Sequence, residues 1–276
     1  MVSLLAQTHH DVAVVVVNDG DPEPPWDVLS DIQDRRLVRF SLTANRGPYF
    51  ATDVVLKAAT TPYFLIQDAD DWSDPRRLEF LLNALEREHS DLAVSAAPQF
   101  VETREGNRVV DIRWRIATHK ANAGNFIVHH SITSAFKYRA PHHGLFRCSS
   151  LRAIGGYYAG LKISYDTLLP NLILMLGKIS HVPQCLYYRM LRMDSLTHGR
   201  QTRSGSENAT REAMLQRELY GLCFAQYRRF VGGGISAAEL AASIRAICGA
   251  RVTSAEQMAL SFESRRLSAL LAKAGR

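Results

Sequence analysis

A chain of 276 residues, 46% of them hydrophobic, is long enough to bury a full core as one large domain or as a domain with an appendage. Its formal charge of +6 comes mostly from arginine, since only six of the 33 basic residues are lysine. That balance suits anionic partners such as nucleoside diphosphates, phospholipid headgroups or nucleic acid without selecting among them. The four cysteines, Cys148, Cys185, Cys223 and Cys248, form no Cys-x-x-Cys pair. This argues against a disulfide framework or a zinc site and for reduced thiols. With no signal-peptide pattern and no apolar run long enough to span a bilayer, a cytoplasmic protein is expected.

In chain order, residues 3–8 look like the tail of a helix. Residues 12–17 are a continuous β-branched run, as in strands covered on both faces, and stop at the turn Asn18-Asp19-Gly20-Asp21. A short helix is expected over 27–34, a strand over 37–40, a loop over 43–48, a helix over 49–59 and a strand over 63–66. An amphipathic helix over 75–89 carries Leu78, Leu81, Leu82 and Leu85 on one side, and 91–95 is another strand. This alternation predicts an open, doubly wound, mostly parallel α/β sheet. From 100 to 139 the pattern loosens, with strands expected at 108–112 and 134–138. A helical turn at 151–154 ends on Gly155-Gly156, and a helix over 165–176 ends at Gly177. Short strands follow at 179–182 and 185–190. The rest is helical, over 207–230, 237–248 and 254–274, with Gly232-Gly233-Gly234 as a hinge.

The stretch ending in Asp68, Asp70 and Asp71 is the focus. Three carboxylates within four residues repel one another, and a divalent cation in a crevice at a strand's carboxyl end would neutralise them. On extended chain Asp68 and Asp70 point to the same side, one toward a metal and one toward a sugar or ribose. The plainer alternative is a turn leading into a helix, with Asp74-Pro75 as cap and first residue.

The order of signals resembles the family 2 glycosyltransferases, inverting nucleotide-sugar transferases of the GT-A type. Residues 3–8 are similar to the end of that family's first helix, and 14–21 to its strand and acidic turn. Asn45-Arg46-Gly47 resembles its Asn-x-Gly loop, and 67–71 its Asp-x-Asp region. Phe146-Arg147, Gly155-Gly156-Tyr157 and Gly160-Leu161 resemble its acceptor segment. Leu186-Tyr187-Tyr188-Arg189 with Asp194-Ser195-Leu196-Thr197 is similar to its closing motif. The resemblance covers residues 3 to about 198. It implies a donor half over 1–98, an acceptor half of the same domain over 99–200, and a C-terminal helical extension over 201–276.

Four departures stand out. The family's opening strand lies before this chain's first residues. We therefore expect residues 1–276 to be a truncated reading of a longer protein, or another segment to fill the gap. The Ala-Arg-Asn that usually follows the Asn-x-Gly loop is here Ala51-Thr52-Asp53, without its basic contact. The Glu-Asp pair before the acceptor helix is Tyr165-Asp166. The Gln-x-x-Arg-Trp of processive synthases is absent, which favours transfer of a single sugar.

The resemblance also implies roles. Asp70 and Asp68 would bind Mn²⁺ or Mg²⁺, Asp19 would hydrogen-bond the nucleotide, Asn45 would lie in the donor loop, and Asp166 would be the base. Asp68 is also a candidate nucleotide-sugar contact. Arg189 and Arg192 are candidates to clamp the departing diphosphate. His198 is either a metal imidazole or a solvated loop residue. The pairs His129-His130 and His142-His143 are assigned to acceptor-loop or surface roles, because adjacent residues on a strand face opposite ways. The implied partners are a nucleotide-diphosphate sugar and an acceptor hydroxyl, not nucleic acid. A peripheral membrane contact through Arg265, Arg266 and Arg276 stays open. The rival from another class is a catalytically inactive GT-A-like module that binds nucleotide or carbohydrate.

Overall fold

The computed structural model describes residues 1–102, 108–109, 126–129, 143–191 and 206–274. The chain begins with α1 (Val2–Leu5), β1 (Val14–Asn18), β2 (Leu37–Ser41) and α2 (Pro48–Ala58). It continues through β3 (Tyr63–Leu65), β4 (Trp72–Ser73), α3 (Arg77–Arg87), β5 (Leu92–Ala96), β6 (Gln99–Glu102), β7 (Arg108–Val109) and β8 (Phe126–His129). Then come β9 (Leu145–Arg147), α4 (Cys148–Ala153), α5 (Tyr165–Leu176), β10 (Lys178–Cys185) and β11 (Tyr187–Leu191). Three helices close the chain: α6 (Glu207–Val231), α7 (Ala237–Gly249) and α8 (Ser254–Ala274).

The α/β architecture and the helical extension are as expected, but the sheets are mixed rather than mostly parallel. The central sheet has the order β3-β9-β5-β10-β8, with β5 and β10 parallel and every other pairing antiparallel. β9 lies between β3 and β5 and opposes both. The strand–helix alternation that predicted a parallel sheet stops at β5, and of the later strands in this sheet β8 and β9 run opposite to β5 while β10 runs with it. β1 and β2 form a separate parallel pair, and β4-β11-β6-β7 a second, mixed sheet. The helix expected over 27–34 shrinks to one 3-10 turn at Asp27–Leu29. There Ser30 Oγ donates to the Asp27 carbonyl and Gln33 to the Ser30 carbonyl, local bonds that compete with helix propagation. The strand expected over 134–138 lies outside the described residues.

The largest core cluster packs β5 and β9 against α4, α5, α6 and α7 around Phe146, Leu172 and Ile179, all fully buried. α2 and α8 close a second cluster over β2, with Phe50 and Val54 at its centre. Of the leucines expected on the inner face of α3, Leu78, Leu81 and Leu85 are buried, while Leu82 is only partly covered.

α3 starts differently from the expectation. Its N-cap is Arg76, and no side chain caps it there. Asp74 instead accepts from the Arg76 N–H at 2.9 Å, and Gln7 reaches across from the N-terminal segment to accept from the Leu78 N–H at 2.9 Å. A remote glutamine thus satisfies one of the orphan donors of the helix.

Asp53 stands where the resemblance led one to expect asparagine. It is buried on α2, accepts from the Tyr157 N–H at 2.7 Å and pairs with Lys57 at 3.2 Å. This fixes the Gly155-Gly156-Tyr157 turn. Gly156 has φ +108°, and a Cβ on it would lie 2.2 Å from Asp53 Oδ1. Gly156→Ala therefore combines left-handed strain with a clash against a buried carboxylate. The expected loss of stability is at least about 2–4 kcal/mol, seen as a lower urea midpoint at unchanged slope. An unchanged midpoint would contradict the assigned geometry.

Candidate active site

The acidic stretch does not continue β3. The chain turns, with the Asp71 N–H donating to the Asp68 carbonyl at 3.3 Å. A turn of this kind brings residues i and i+3 together, whereas extended chain would align i and i+2. Asp68 and Asp71 therefore converge, and the expected alignment of Asp68 with Asp70 is corrected. Asp70 is exposed beside them.

Asp71 is buried and held on both oxygens. Oδ1 accepts from the Met190 N–H at 2.8 Å, and Oδ2 from the Tyr187 hydroxyl at 2.5 Å. Burial pushes its pKa up to about 6, Tyr187 and Met190 pull it down, and Asp68 and Asp70 add to the rise. The Tyr187 hydroxyl also accepts from the Asp68 N–H at 3.1 Å, so one phenol ties both ends of the turn.

His143 belongs to this cluster. Its Nε2 lies 2.8 Å from Asp68 Oδ2, and its ring stacks on Tyr187 at 4.6 Å. It is 1% exposed, so the surface or acceptor-loop role expected for it is corrected. Residues 131–142 lie outside the described part of the chain, and with them its partner His142. Burial lowers the His143 pKa, Asp68 opposes this, and Arg189 and Arg77 lower it further. An imidazole beside an acceptor-only carboxylate places its proton on Nε2, donating to Asp68. Asp68 keeps 48% of its side chain exposed, so the histidine orients it without covering it.

Beneath the turn lies Arg77, with 0% exposure. It donates to the carbonyls of Ile66 at 3.1 Å and His143 at 2.9 Å and to Ser73 Oγ at 2.9 Å, and it sits 4.2 Å over the Tyr187 ring. Burial lowers its pKa to about 10, while Tyr187, Asp71 and Asp68 raise it. It remains a cation at neutral pH, under the carboxylates. Sequence reasoning missed it, although a signal was present. Two arginines at the start of a helix oppose the helix dipole, which marks one of them as engaged elsewhere.

Asp166 lies in the first turn of α5 and is not its N-cap, which is Ser164. Asp166 Oδ1 accepts from the Tyr49 hydroxyl and the Thr167 N–H, each at 3.0 Å. Burial raises the Tyr49 pKa well above its ordinary value, and Asp166 and Asp68 both contribute. The same two carboxylates bear on Tyr157, whose buried hydroxyl has no hydrogen-bond partner among the described residues. Asp68 and Asp166 thus both act electrostatically on the same two tyrosines.

The other expected residues divide. Asp19 accepts from the backbone N–H groups of Arg46 at 2.9 Å and Gly47 at 2.8 Å, so it shapes the Asn45-Arg46-Gly47 loop. Asn45 is exposed on that loop. Arg189 lies on β11 close enough to act on His143, and its buried Nε has no hydrogen-bond partner among the described residues. Arg192 and His198 lie outside the described residues. So does His130, and His129 is described only as the end of β8.

Residues 1–155, more than half of the chain, match the family model described as glycosyl transferase family 2. The chain belongs to that family. An uncharacterized glycosyltransferase of Nostoc is 31% identical over 86 residues, covering 30% of this chain and 27% of the relative. The Escherichia coli UDP-Glc:alpha-D-GlcNAc-diphosphoundecaprenol beta-1,3-glucosyltransferase WfaP is 24% identical over 86 residues, covering 31% of this chain and 34% of its own length. The chain thus spans about a third or less of these curated relatives. Among solved structures, Staphylococcus aureus TarS 1-349 in complex with UDP superposes with a TM-score of 0.55 at 17% identity, covering 83% of this chain and 66% of that one. GalNAc-T7 with UDP, GalNAc and Mn²⁺ superposes with a TM-score of 0.58 at 12% identity, covering 89% and 51%. These likenesses carry the GT-A-type fold.

In this family 2 chain the acidic turn offers donors suited to a hard divalent cation. Asp68, Asp71 and His143 present ligand atoms within 4.8 Å of one another. Burial is the main cause of the raised Asp71 pKa, and the neighbouring Asp68 and Asp70 add to it. No helix among the described residues is long and apolar enough to cross a membrane.

Arg77→Met should strip hydrogen bonds from two buried carbonyls and remove the cation under Asp71. The expected cost is about 3–5 kcal/mol, measured by urea denaturation. Arg77→Lys should recover little of it, because lysine lacks the planar fork with which one terminal nitrogen holds both carbonyls while the other holds Ser73 Oγ. A loss below about 1 kcal/mol for Arg77→Met would remove the guanidinium from its central place.

Proposed function

We propose that this chain transfers a single sugar from a nucleoside-diphosphate sugar to an acceptor hydroxyl, with inversion and with the help of a divalent cation. The observation that carries the reading is the pair of carboxylate groups acting on Tyr49: Asp166, bonded to its hydroxyl, and Asp68 at the acidic turn. Inverting transfer needs two such groups, one to take a proton from the acceptor and one on the leaving-group side. Residues 1–98 serve as the donor half, 99–200 as the acceptor half and 201–276 as the extension.

Asp166 is the base. As the acceptor oxygen bonds to the anomeric carbon, its proton passes to the Asp166 carboxylate and the bond from that carbon to the diphosphate oxygen breaks. The start of α5 favours the charged carboxylate, and the Tyr49 hydroxyl aims it. On the donor side Asp68, with Asp70 exposed beside it, would hold Mn²⁺ or Mg²⁺, and Asp71 and His143 offer the nearest further ligand atoms. His143 orients Asp68, and Asp71 and Arg77 fix the turn behind. The cation when bound supplies Lewis-acid stabilisation of the diphosphate. Arg189 adds a guanidinium for the departing phosphate oxygens. Asp19 sets the loop on which Asn45 meets the nucleotide. The UDP in the TarS complex supports a nucleotide-containing donor.

Titration of UDP, GDP and dTDP in the presence of Mn²⁺ tests the donor side. Asp70→Ala should lose the metal-dependent part of the affinity, and equal affinity in the two proteins would remove Asp70 from the metal site. Asp166→Asn should lower turnover of labelled donor by about 10²–10⁴-fold while nucleotide affinity stays near wild type. Wild-type turnover in that variant would place the base elsewhere. A wild-type chain that binds nucleotide but turns over no donor, with or without Mn²⁺, would be a binding module instead.

A further inference from the structure

Asp166 sits two residues after a strained one. Ser164 has φ +67° and ψ 6°, left-handed backbone that a serine adopts at a cost, and its side chain makes no capping bond to α5. Such a conformation persists only where its surroundings determine it. The determinants come from α6, far along the chain. Glu212 is buried, and its Oε2 accepts from the backbone N–H groups of Lys162 at 2.9 Å and Ile163 at 3.4 Å. Gln216, one helical turn on and also buried, donates from Nε2 to the Ser164 carbonyl at 2.6 Å. That same carbonyl accepts from the Thr167 N–H at 3.1 Å and so opens α5.

We propose that Glu212 and Gln216 of the C-terminal extension are positioning residues for the base: they hold the 162–164 backbone in the conformation that presents Asp166. The proposal rests on the reading of Asp166 as the base. The two side chains stand at i and i+4 on the face of α6 that also buries Leu219, Tyr220 and Cys223 in the main core. α6 is thereby registered against α5 by packing, and its polar pair converts that register into loop geometry. Glu212 and Gln216 also lie beyond residues 1–155, the part that matches the family model. The extension therefore does more than cover a core: without it the 162–164 backbone leading into the base's helix would be unbraced. A displacement of about 1 Å in a reacting group is enough to cost about 10²-fold in rate.

The test compares the Glu212→Ala/Gln216→Ala double variant, Asp166→Asn and Glu239→Gln with the wild type. Glu239 forms the capping box of α7 at the surface, so its variant controls for ordinary helix stability. Nucleotide release is followed on the best of a panel of UDP-, GDP- and dTDP-sugars, and UDP affinity is measured in parallel. The double variant should lose about 10–100-fold in turnover, with UDP affinity within about threefold of wild type and Glu239→Gln unaffected. Adding Ser164→Gly should restore part of the loss, because glycine holds a positive φ without strain. Should the double variant not fold, Gln216→Ala alone should show a smaller loss with the same rescue. Wild-type turnover in the double variant, or a parallel fall of turnover and UDP affinity, would overturn the proposal while leaving the function standing if Asp166→Asn is inactive. Full turnover in Asp166→Asn would overturn both.

Discussion

A guanidinium without access to water is the constraint on which the rest of the site depends. Leaving Arg77 unpaired where it lies would cost far more than a domain of this size can spare. Its satisfaction requires the Ile66 carbonyl at the end of β3, the His143 carbonyl before β9 and the Ser73 hydroxyl in β4 to converge on one point. The end of β3, β4 and the segment before β9 are thereby fixed relative to α3. The carboxylates above are tolerated for the same reason. Asp71 is raised to about 6, chiefly by its burial, although two donors hold it. A turn balanced this way is rigid behind and electronegative in front, which suits a surface meant to receive a cation with its anionic ligand.

Much of the scaffold was legible in the sequence because it follows from local rules. The β-branched run ending at Asn18, the leucine face of α3, and Gly177 after α5 each encode their element within a few residues. The three terminal helices fall within a residue of the expected bounds. Pairing direction was not legible. β9 inserts between β3 and β5 after a long excursion, and nothing local in Leu145, Phe146 and Arg147 specifies which way that strand enters.

The site was half legible. The acidic cluster announced itself, but its internal geometry was taken from strand alternation, whereas the chain had already turned at Asp68. One hydrogen bond decides which carboxylates meet. His143 was discounted as one of an adjacent pair, yet only one member needs to face inward. Its aromatic partner Tyr187 lies 44 residues on, and no local pattern joins the two.

The carboxylates also divide by what they face. Asp19, Asp53, Asp71, Asp91, Glu212 and Glu263 each accept at least one backbone N–H from a remote segment. A charge-assisted bond of this kind is worth about 1.5–3 kcal/mol and fixes a loop that no regular ladder can reach. Glu263 of α8 takes the Thr43 N–H and hydroxyl at the entry to the donor loop, as Glu212 of α6 takes the entry to α5. The extension therefore reaches both the 43–47 loop and the start of α5 through single buried acids. In a sequence these residues are indistinguishable from catalytic ones, since each is simply an acid. What separates them is saturation. A carboxylate whose oxygens are filled by the fold's own N–H groups is committed to the scaffold. Asp68, half exposed, and Asp70, exposed, keep surface open to a ligand, and Asp166 accepts from the Tyr49 hydroxyl and the Thr167 N–H. The proposed chemistry is placed on Asp68 and Asp70 by that openness and on Asp166 by its position at the start of α5.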